Sequence, residues 1–156
     1  MAFVPGETVE EGIFDDLVAT LEAIAPPTHN TAVARVFDCT GRIEETPELP
    51  AIVAYHGGAR LADSQGLINC EQWILTAYLA LGLASGSDDP RQDAMRFVAD
   101  VNNALTSTRT RGGLARDTII RETEIVPRTR EDAIQAAAMT VEVVFAHPVA
   151  DPTTNL

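Results

Sequence analysis

The feature that most constrains the fold is the alternation of side chains over residues 68–84. Side chains of a β-strand point to opposite faces in turn, so a period of two predicts a long strand here. Leu and Ala also favour a helix, but Gly82 and the β-leaning Trp, Ile, Thr and Tyr side chains favour the strand. One face carries Trp73, Leu75, Ala77, Leu79, Leu81 and Leu83, and the other carries Ile74, Thr76, Tyr78 and Ala80.

Two amphipathic helices are predicted from apolar residues that recur three and four positions apart. The first begins after Thr8, where Glu11 completes a capping-box pattern, and ends before Pro26-Pro27. The second begins at Asp88-Asp89-Pro90 and ends near Ser107. Their apolar positions are Val9, Ile13, Leu17, Leu21 and Ile24 in the first helix, and Ala94, Phe97, Val98, Val101, Ala104 and Leu105 in the second.

The remaining strands are shorter. Alternation or short apolar runs predict strands over 31–39, 51–55 and 117–126, and a last strand over 138–148 with Met139, Val141, Val143 and Phe145 on one face. The order α-β-β-β-α-β-β is typical of an α+β fold, with a largely antiparallel or mixed β-sheet flanked by two main helices. We expect one domain over 1–150 and a flexible C-terminal tail over 151–156.

Composition narrows the class of protein. The 156 residues carry a net charge of −12, and all 11 basic residues are arginines, which a GC-rich genome explains. Such acidity argues against a broad grip on nucleic-acid phosphates, which needs many cations. No signal peptide and no membrane-spanning run are found, so we expect a protein of the cytoplasm.

No cofactor or metal site is predicted. Cys39 and Cys70 lack C-x-x-C spacing, and we expect two buried thiols rather than a disulfide. His29, His56 and His147 are scattered without a ligand pattern.

The stretch His56-Gly57-Gly58 resembles the oxyanion loop of α/β-hydrolase esterases, which follows a strand. That interpretation requires a G-x-S-x-G nucleophile, and in Gly82-Leu83-Ala84-Ser85-Gly86 the serine sits one position too late. Two adjacent glycines are explained by a turn, because glycine tolerates positive φ. We therefore expect a turn at Gly57-Gly58, and we do not expect an enzyme.

The order of elements and several segments together resemble the tail terminator (tail completion) proteins of long-tailed bacteriophages. The segments are the acidic N-terminal helix and the stretches LPAIVAYHGG, EQWILTAYLALGLAS, DDPRQDAMRFVADVNNALTS and AMTVEVVFAHP, which cover most of residues 7–148.

This resemblance implies a structural virion protein that assembles with itself into a ring, commonly a hexamer. The ring would cap the tail tube, stop its growth and offer the surface on which the head docks. Its partners would be the major tail tube protein and a head completion or connector protein, at the head–tail junction of a virion assembled in the host cytoplasm. DNA would pass through the lumen without specific binding, and the family has no catalytic residues to carry over. The alternatives are another phage neck, head–tail joining or tail-tube-like protein, or a cellular small-molecule-binding α+β domain.

Two interfaces are considered for such a ring. Arg109, Arg111 and Arg116 form a basic loop in an acidic chain, and either they are solvated beside a helix end or they contact an acidic helix of the next subunit. That helix carries Glu10, Glu11, Asp15 and Asp16. Trp73 is either a core residue or an interface anchor.

Overall fold

The computed structural model describes residues 8–38, 48–63, 70–128, 132–148 and 153. Within these ranges the chain forms helices α1 and α2 and a five-stranded mixed sheet, so the predicted α+β class and element order are confirmed. Of the predicted tail, residues 151, 152 and 154–156 lie outside the described residues. The elements are α1 (Val9–Glu22), β1 (Arg35–Asp38), β2 (Ala51–Asp63), β3 (Cys70–Ala84), α2 (Pro90–Ser107), β4 (Asp117–Ile125) and β5 (Ile134–Pro148).

The strand with the clearest alternation, β3, lies at the centre of the sheet. The strand order is β1-β2-β3-β5-β4, in which β1 and β2 are parallel and every other neighbouring pair is antiparallel. β3 pairs with β5 from Cys70 to Ala84 without a break. Its predicted inner face is confirmed, because Leu75, Leu79 and Leu81 are buried whereas Tyr78 on the other face is exposed.

Both helices pack on the same face of the sheet. Phe97 and Val101 of α2 belong to the buried cluster that contains Leu75 and Leu79, as their spacing predicts. Trp73 is only partly buried at the edge of this cluster, so it contributes to the core rather than standing apart from it. The cluster also takes the buried side of α1, including Ile13, Leu17 and Leu21.

The helix caps predicted from the sequence are present. The Thr8 hydroxyl accepts a hydrogen bond from the Glu11 N–H (3.1 Å), and the Glu11 carboxylate accepts one from the Thr8 N–H (2.7 Å). The Asp89 carboxylate accepts from the Gln92 N–H (3.0 Å) at the start of α2. The first helix ends at Glu22, somewhat before the prolines that were predicted to stop it.

β1 begins later than predicted because tertiary hydrogen bonds occupy the residues before it. The Thr31 N–H donates to the carboxylate of Asp100 (2.9 Å), which is buried in α2, and the Val33 N–H donates to the Ile24 carbonyl (3.0 Å). The first bond joins this loop to α2 and the second joins it to Ile24, just after the end of α1, so neither N–H pairs with a neighbouring strand. Cys39, at the predicted end of this strand, lies outside the described residues, and Cys70 is a half-buried free thiol.

The turn predicted at Gly57-Gly58 is wrong. β2 continues through these residues to Asp63, and its register with β3 shifts between His56 and Ala59, so the glycines form a bulge within a strand. Gly58 has a φ of 85°, which glycine adopts without steric cost. Positive φ was predicted correctly for Gly58 but not for Gly57, and the pairing with β3 keeps the chain in the sheet.

Candidate functional site

The candidate site is the face of the sheet opposite the helices, which we call the open face. Among the described residues, the helices bury their apolar sides in the cluster on the other face. The open face carries Ile74, Thr76 and Tyr78 from β3, and the register places Val144, Glu142 and Thr140 of β5 beside them. Ala51 and Val53 of β2 form a small second cluster on this side with Phe37, Leu49, Tyr55, Ala80 and Ala136.

An aromatic pair crosses the middle of the open face. Tyr55 and Tyr78 are directly opposite each other in the register of β2 and β3, and Tyr78 is 50% exposed. A Cβ atom on Gly57 would lie 2.7 Å from Cε2 of Tyr78 and 2.8 Å from the Thr76 carbonyl oxygen. The bulge glycine therefore leaves room for the Tyr78 ring to lie against the strand. A half-exposed tyrosine on a sheet surface is typical of an interface anchor.

Beside the tyrosines, one carboxylate binds two arginines from different strands. Glu142 of β5 contacts the Arg60 Nη2 atom (2.9 Å) through one oxygen and the Arg121 Nε atom (2.6 Å) through the other. Arg60 reaches it from β2, across β3, and Arg121 reaches it from the bulge in β4. The Glu142 side chain is only 12% exposed, whereas those of Arg60 and Arg121 are 62% and 53% exposed. The cluster thus presents one net positive charge at the surface.

Sequence reasoning missed this cluster of Arg60, Arg121 and Glu142. One signal was available, since Glu142 is a carboxylate inside an apolar strand and falls on the face opposite Met139 and Val141. Such a group requires a cation. Its partners could not be named without the strand order.

The basic loop, which was predicted to lie at an interface, places Arg111 inside its own chain. The Arg111 side chain is completely buried, so the prediction that it contacts a neighbouring subunit is wrong. Its Nη1 atom lies 3.3 Å from the Asp16 carboxylate and donates to the Thr20 hydroxyl at 3.2 Å. Its Nη2 atom donates to the Leu105 carbonyl and to the Thr108 hydroxyl. The two predicted stretches do meet at Arg111 and Asp16, but within one chain.

The electrostatics of Arg111 follow from this position. Burial lowers the pKa of the Arg111 guanidinium from its ordinary value, and the charge of Asp16 opposes that effect. The residue also has a φ of 48°, in the left-handed region. Its hydrogen bonds join α1 to the last turn of α2, which is a structural role.

The other arginines of the loop remain at the surface. Arg109 forms a bidentate pair with Asp117, with Nε–Oδ1 and Nη2–Oδ2 distances of 2.6 and 2.8 Å. These hydrogen bonds raise the pKa of Arg109 and lower the pKa of Asp117. Arg116 is exposed, and its N–H donates to the Val144 carbonyl. No described contact brings either arginine to α1.

Some acidic residues of α1 form contacts within the chain, and others point to solvent. Glu10 lies 2.9 Å from the His56 Nε2 atom, Asp16 faces Arg111, and Glu11 closes the capping box. Asp15 is exposed and forms no ion pair with any described residue. Only part of this acidic face is therefore committed to contacts within the chain.

His56 belongs to the helix side of the bulge. Its Nδ1 atom accepts a hydrogen bond from the Gly58 N–H (3.0 Å), and its ring packs edge-on against Phe14. An oxyanion loop would need such an N–H for a substrate, whereas here the Gly58 N–H is bound within the chain.

The described residues lack the features of two other kinds of site. They contain no group of three or more His, Cys, Asp or Glu residues placed to hold a metal ion. None of their helices is long and apolar enough to cross a bilayer. A shallow groove of about 350 Å³ lies where β4 ends and β5 begins, lined by Val126, Pro127, Arg128, Asp132, Ala133, Ile134 and Ala136.

Two comparisons with known proteins found no match. The sequence matches no protein-family model, and no curated protein is significantly similar to it.

Proposed function

We propose that the chain is a structural protein that assembles with copies of itself into a ring, as the tail terminators of long-tailed phages do, and closes the end of a phage tail. The observation that carries this proposal is the open face, where the half-exposed Tyr78 and the exposed Arg60 and Arg121 lie on a sheet that the described helices leave uncovered. A second layer from another subunit would cover this face.

The composition of the open face supports protein–protein contact. Aromatic residues and arginine are enriched at interfaces, and the apolar neighbours Ile74 and Val144 are only partly buried. Exposed apolar surface rimmed by polar groups is typical of interaction sites. The centre of the face is formed by β3 and β5, the two longest described strands, which pair without interruption.

The charge of the chain agrees with a DNA conduit. A ring of subunits that each carry a net charge of −12 would repel the phosphates of passing DNA, which would slide through without being held. In this proposal the ring contacts the last layer of the tail tube on one side and the head completion protein on the other, at the head–tail junction of the virion.

Three alternative functions predict different behaviour. A neck or head–tail joining protein would also form a ring but would bind the head connector in preference to tube ends. A small-molecule-binding domain would be a monomer, and its ligand would occupy a groove such as the one lined by Arg128 and Asp132. A tail-tube-like subunit would stack into tubes of unlimited length.

The direct test is tube assembly in the presence of the purified chain. Tail tube subunits encoded beside this chain would be polymerised with and without it, and tube lengths and ends would be measured by electron microscopy. We expect shorter tubes and a labelled chain at one end only. Tubes of unchanged length with no bound chain would contradict the terminator function. If the purified chain polymerised into tubes by itself, it would be a tube subunit instead.

A further inference from the structure

We infer that the open face of one subunit binds the outer side of α1 of the next subunit, where the exposed pair Arg60 and Arg121 contacts a ridge of carboxylates. The ridge consists of Glu11, Asp15 and Glu22, and we call it the acidic ridge. This inference rests on the proposed ring and specifies which two surfaces form it.

Arg60 and Arg121 each keep N–H donors that are not used in binding Glu142. Arg60 uses one Nη atom and Arg121 uses its Nε atom for Glu142, and a guanidinium group has five N–H donors. Glu142 binds one nitrogen of each guanidinium group, which limits the conformations of the two side chains before any partner binds. Pre-positioned arginines lose less side-chain entropy when a carboxylate arrives.

The acidic ridge forms one side of a helix. Glu11, Asp15 and Glu22 are spaced by four and seven residues, which at 3.6 residues per turn places them on one line along α1. All three side chains are exposed, and the helix contains no basic residue. Asp15 and Glu22 have no ion-pair partner among the described residues. Like charges at this spacing destabilise an isolated helix, and an external cation would relieve that repulsion.

The two surfaces lie on opposite sides of the molecule. α1 packs on the helix side of the sheet, and its ridge points away from the sheet, whereas Arg60 and Arg121 lie on the open face. A contact between unlike patches on opposite sides is heterologous, and repeating it joins subunits head to tail into a ring or a filament. Two open faces meeting symmetrically would instead give a closed dimer and would bring arginine pairs together.

A nucleic-acid surface is the competing use of exposed tyrosine and arginine on a sheet. Single strands bind such platforms by stacking and by backbone charge. Here Glu142 neutralises half of the positive charge, and the whole chain is strongly acidic. The balance of charge favours a carboxylate-bearing protein partner, and a second copy supplies one in the acidic ridge.

The test is a charge swap. The first variant combines Arg60→Glu and Arg121→Glu with Glu142→Gln, so that no buried carboxylate is left among like charges. The second variant combines Asp15→Arg and Glu22→Arg on the ridge. We expect each variant alone to lose assembly and to show the mass of a single chain by light scattering. A chain that carries both sets restores opposite charges at every contact, and it should recover the mass of the parent.

The matched control is Arg91→Glu with Arg96→Glu, which reverses two exposed arginines on α2 away from both surfaces. It should assemble as the parent does. Thermal melting of every variant separates loss of contact from loss of fold, and the ridge variant tests the same contact if the first variant unfolds.

The outcomes distinguish the interface from the function. If the parent assembles and both swapped variants keep its mass, the contact lies elsewhere while the ring proposal stands. If the parent is a monomer, the proposed function fails together with this contact. If the parent binds a labelled oligothymidylate at physiological salt and the first variant does not, the open face is a nucleic-acid surface and the inference is overturned.

Discussion

The Arg111 guanidinium lies 3.3 Å from the Asp16 carboxylate inside a single chain. The basic loop and the acidic helix are thus joined by the fold itself, whereas Arg60 and Arg121 share Glu142 on the open face and keep more than half of each side chain exposed to a neighbour.

Arg111→Ala should lower the free energy of unfolding by about 3 kcal/mol, because it removes a buried cation and leaves the Leu105 carbonyl and Thr108 hydroxyl without their donor. Urea denaturation followed by circular dichroism would measure this. Arg109→Ala is the control in the same loop, and because it removes only an exposed ion pair, its destabilisation should be well below that of Arg111→Ala. Equal, small effects of both substitutions would show that Arg111 does not hold α1 to α2.

Val101→Asp should unfold the domain, since Val101 is 0% exposed and an unpaired buried carboxylate costs several kcal/mol, about as much as the stability of a small domain. Asn102→Asp adds the same charge one position along α2, where the side chain is exposed, and should be nearly neutral. The far-ultraviolet circular dichroism and the solubility of the two variants would show whether each one folds. A folded Val101→Asp protein with unchanged melting would refute the packing of α2 on β3.

Gly57→Ala should destabilise the fold by about 1–3 kcal/mol, because the new methyl group meets both the Tyr78 ring and the backbone oxygen of Thr76. The Thr76 oxygen cannot move away as a flexible side chain could. Gly86→Ala is the matched control, since nothing lies within 4 Å of its Cβ position. Gly57→Ala should have a lower melting temperature than Gly86→Ala. Similar melting temperatures of the two variants would mean that the bulge does not need glycine at position 57.

The pair of Arg109 and Asp117 should contribute to stability only above acidic pH. Arg109 lowers the pKa of Asp117 below its ordinary 3.8, so the unfolded chain takes up a proton first as the pH falls. Asp117→Asn should therefore be less stable than the parent at neutral pH, and the difference should shrink as the pH drops below about 4 and as salt is added. Urea unfolding over a pH series would measure it, and a difference independent of pH would contradict the pairing.

Local patterns were sufficient for the elements that depend on local chemistry. Neighbouring residues alone determine three such features, which are the alternation in β3, the apolar spacing of α2 and the caps at Thr8 and Asp89. The bulge in β2 was misread because two glycines favour a turn locally, and only the pairing with β3 carries the chain onward.

The candidate site depends on long-range pairing, which the sequence does not reveal. Glu142 is 82 residues from Arg60 and 21 residues from Arg121, and the three meet only because β2, β3, β5 and β4 lie side by side. Arg111 was taken for a surface residue because arginine is seldom buried. Its burial follows from the carbonyl and hydroxyl groups that the end of α2 offers to it.

The central claim is that this chain assembles into a closed ring of copies, and native mass spectrometry of the purified parent tests it most directly. Head-to-tail contacts that close predict one discrete oligomer whose mass is a fixed multiple of the chain, with six as the number that the family resemblance implies. That mass should persist over a range of protein concentrations, and its particles should appear as rings by electron microscopy. A single chain at every concentration, or a dimer that grows no further, would contradict the account.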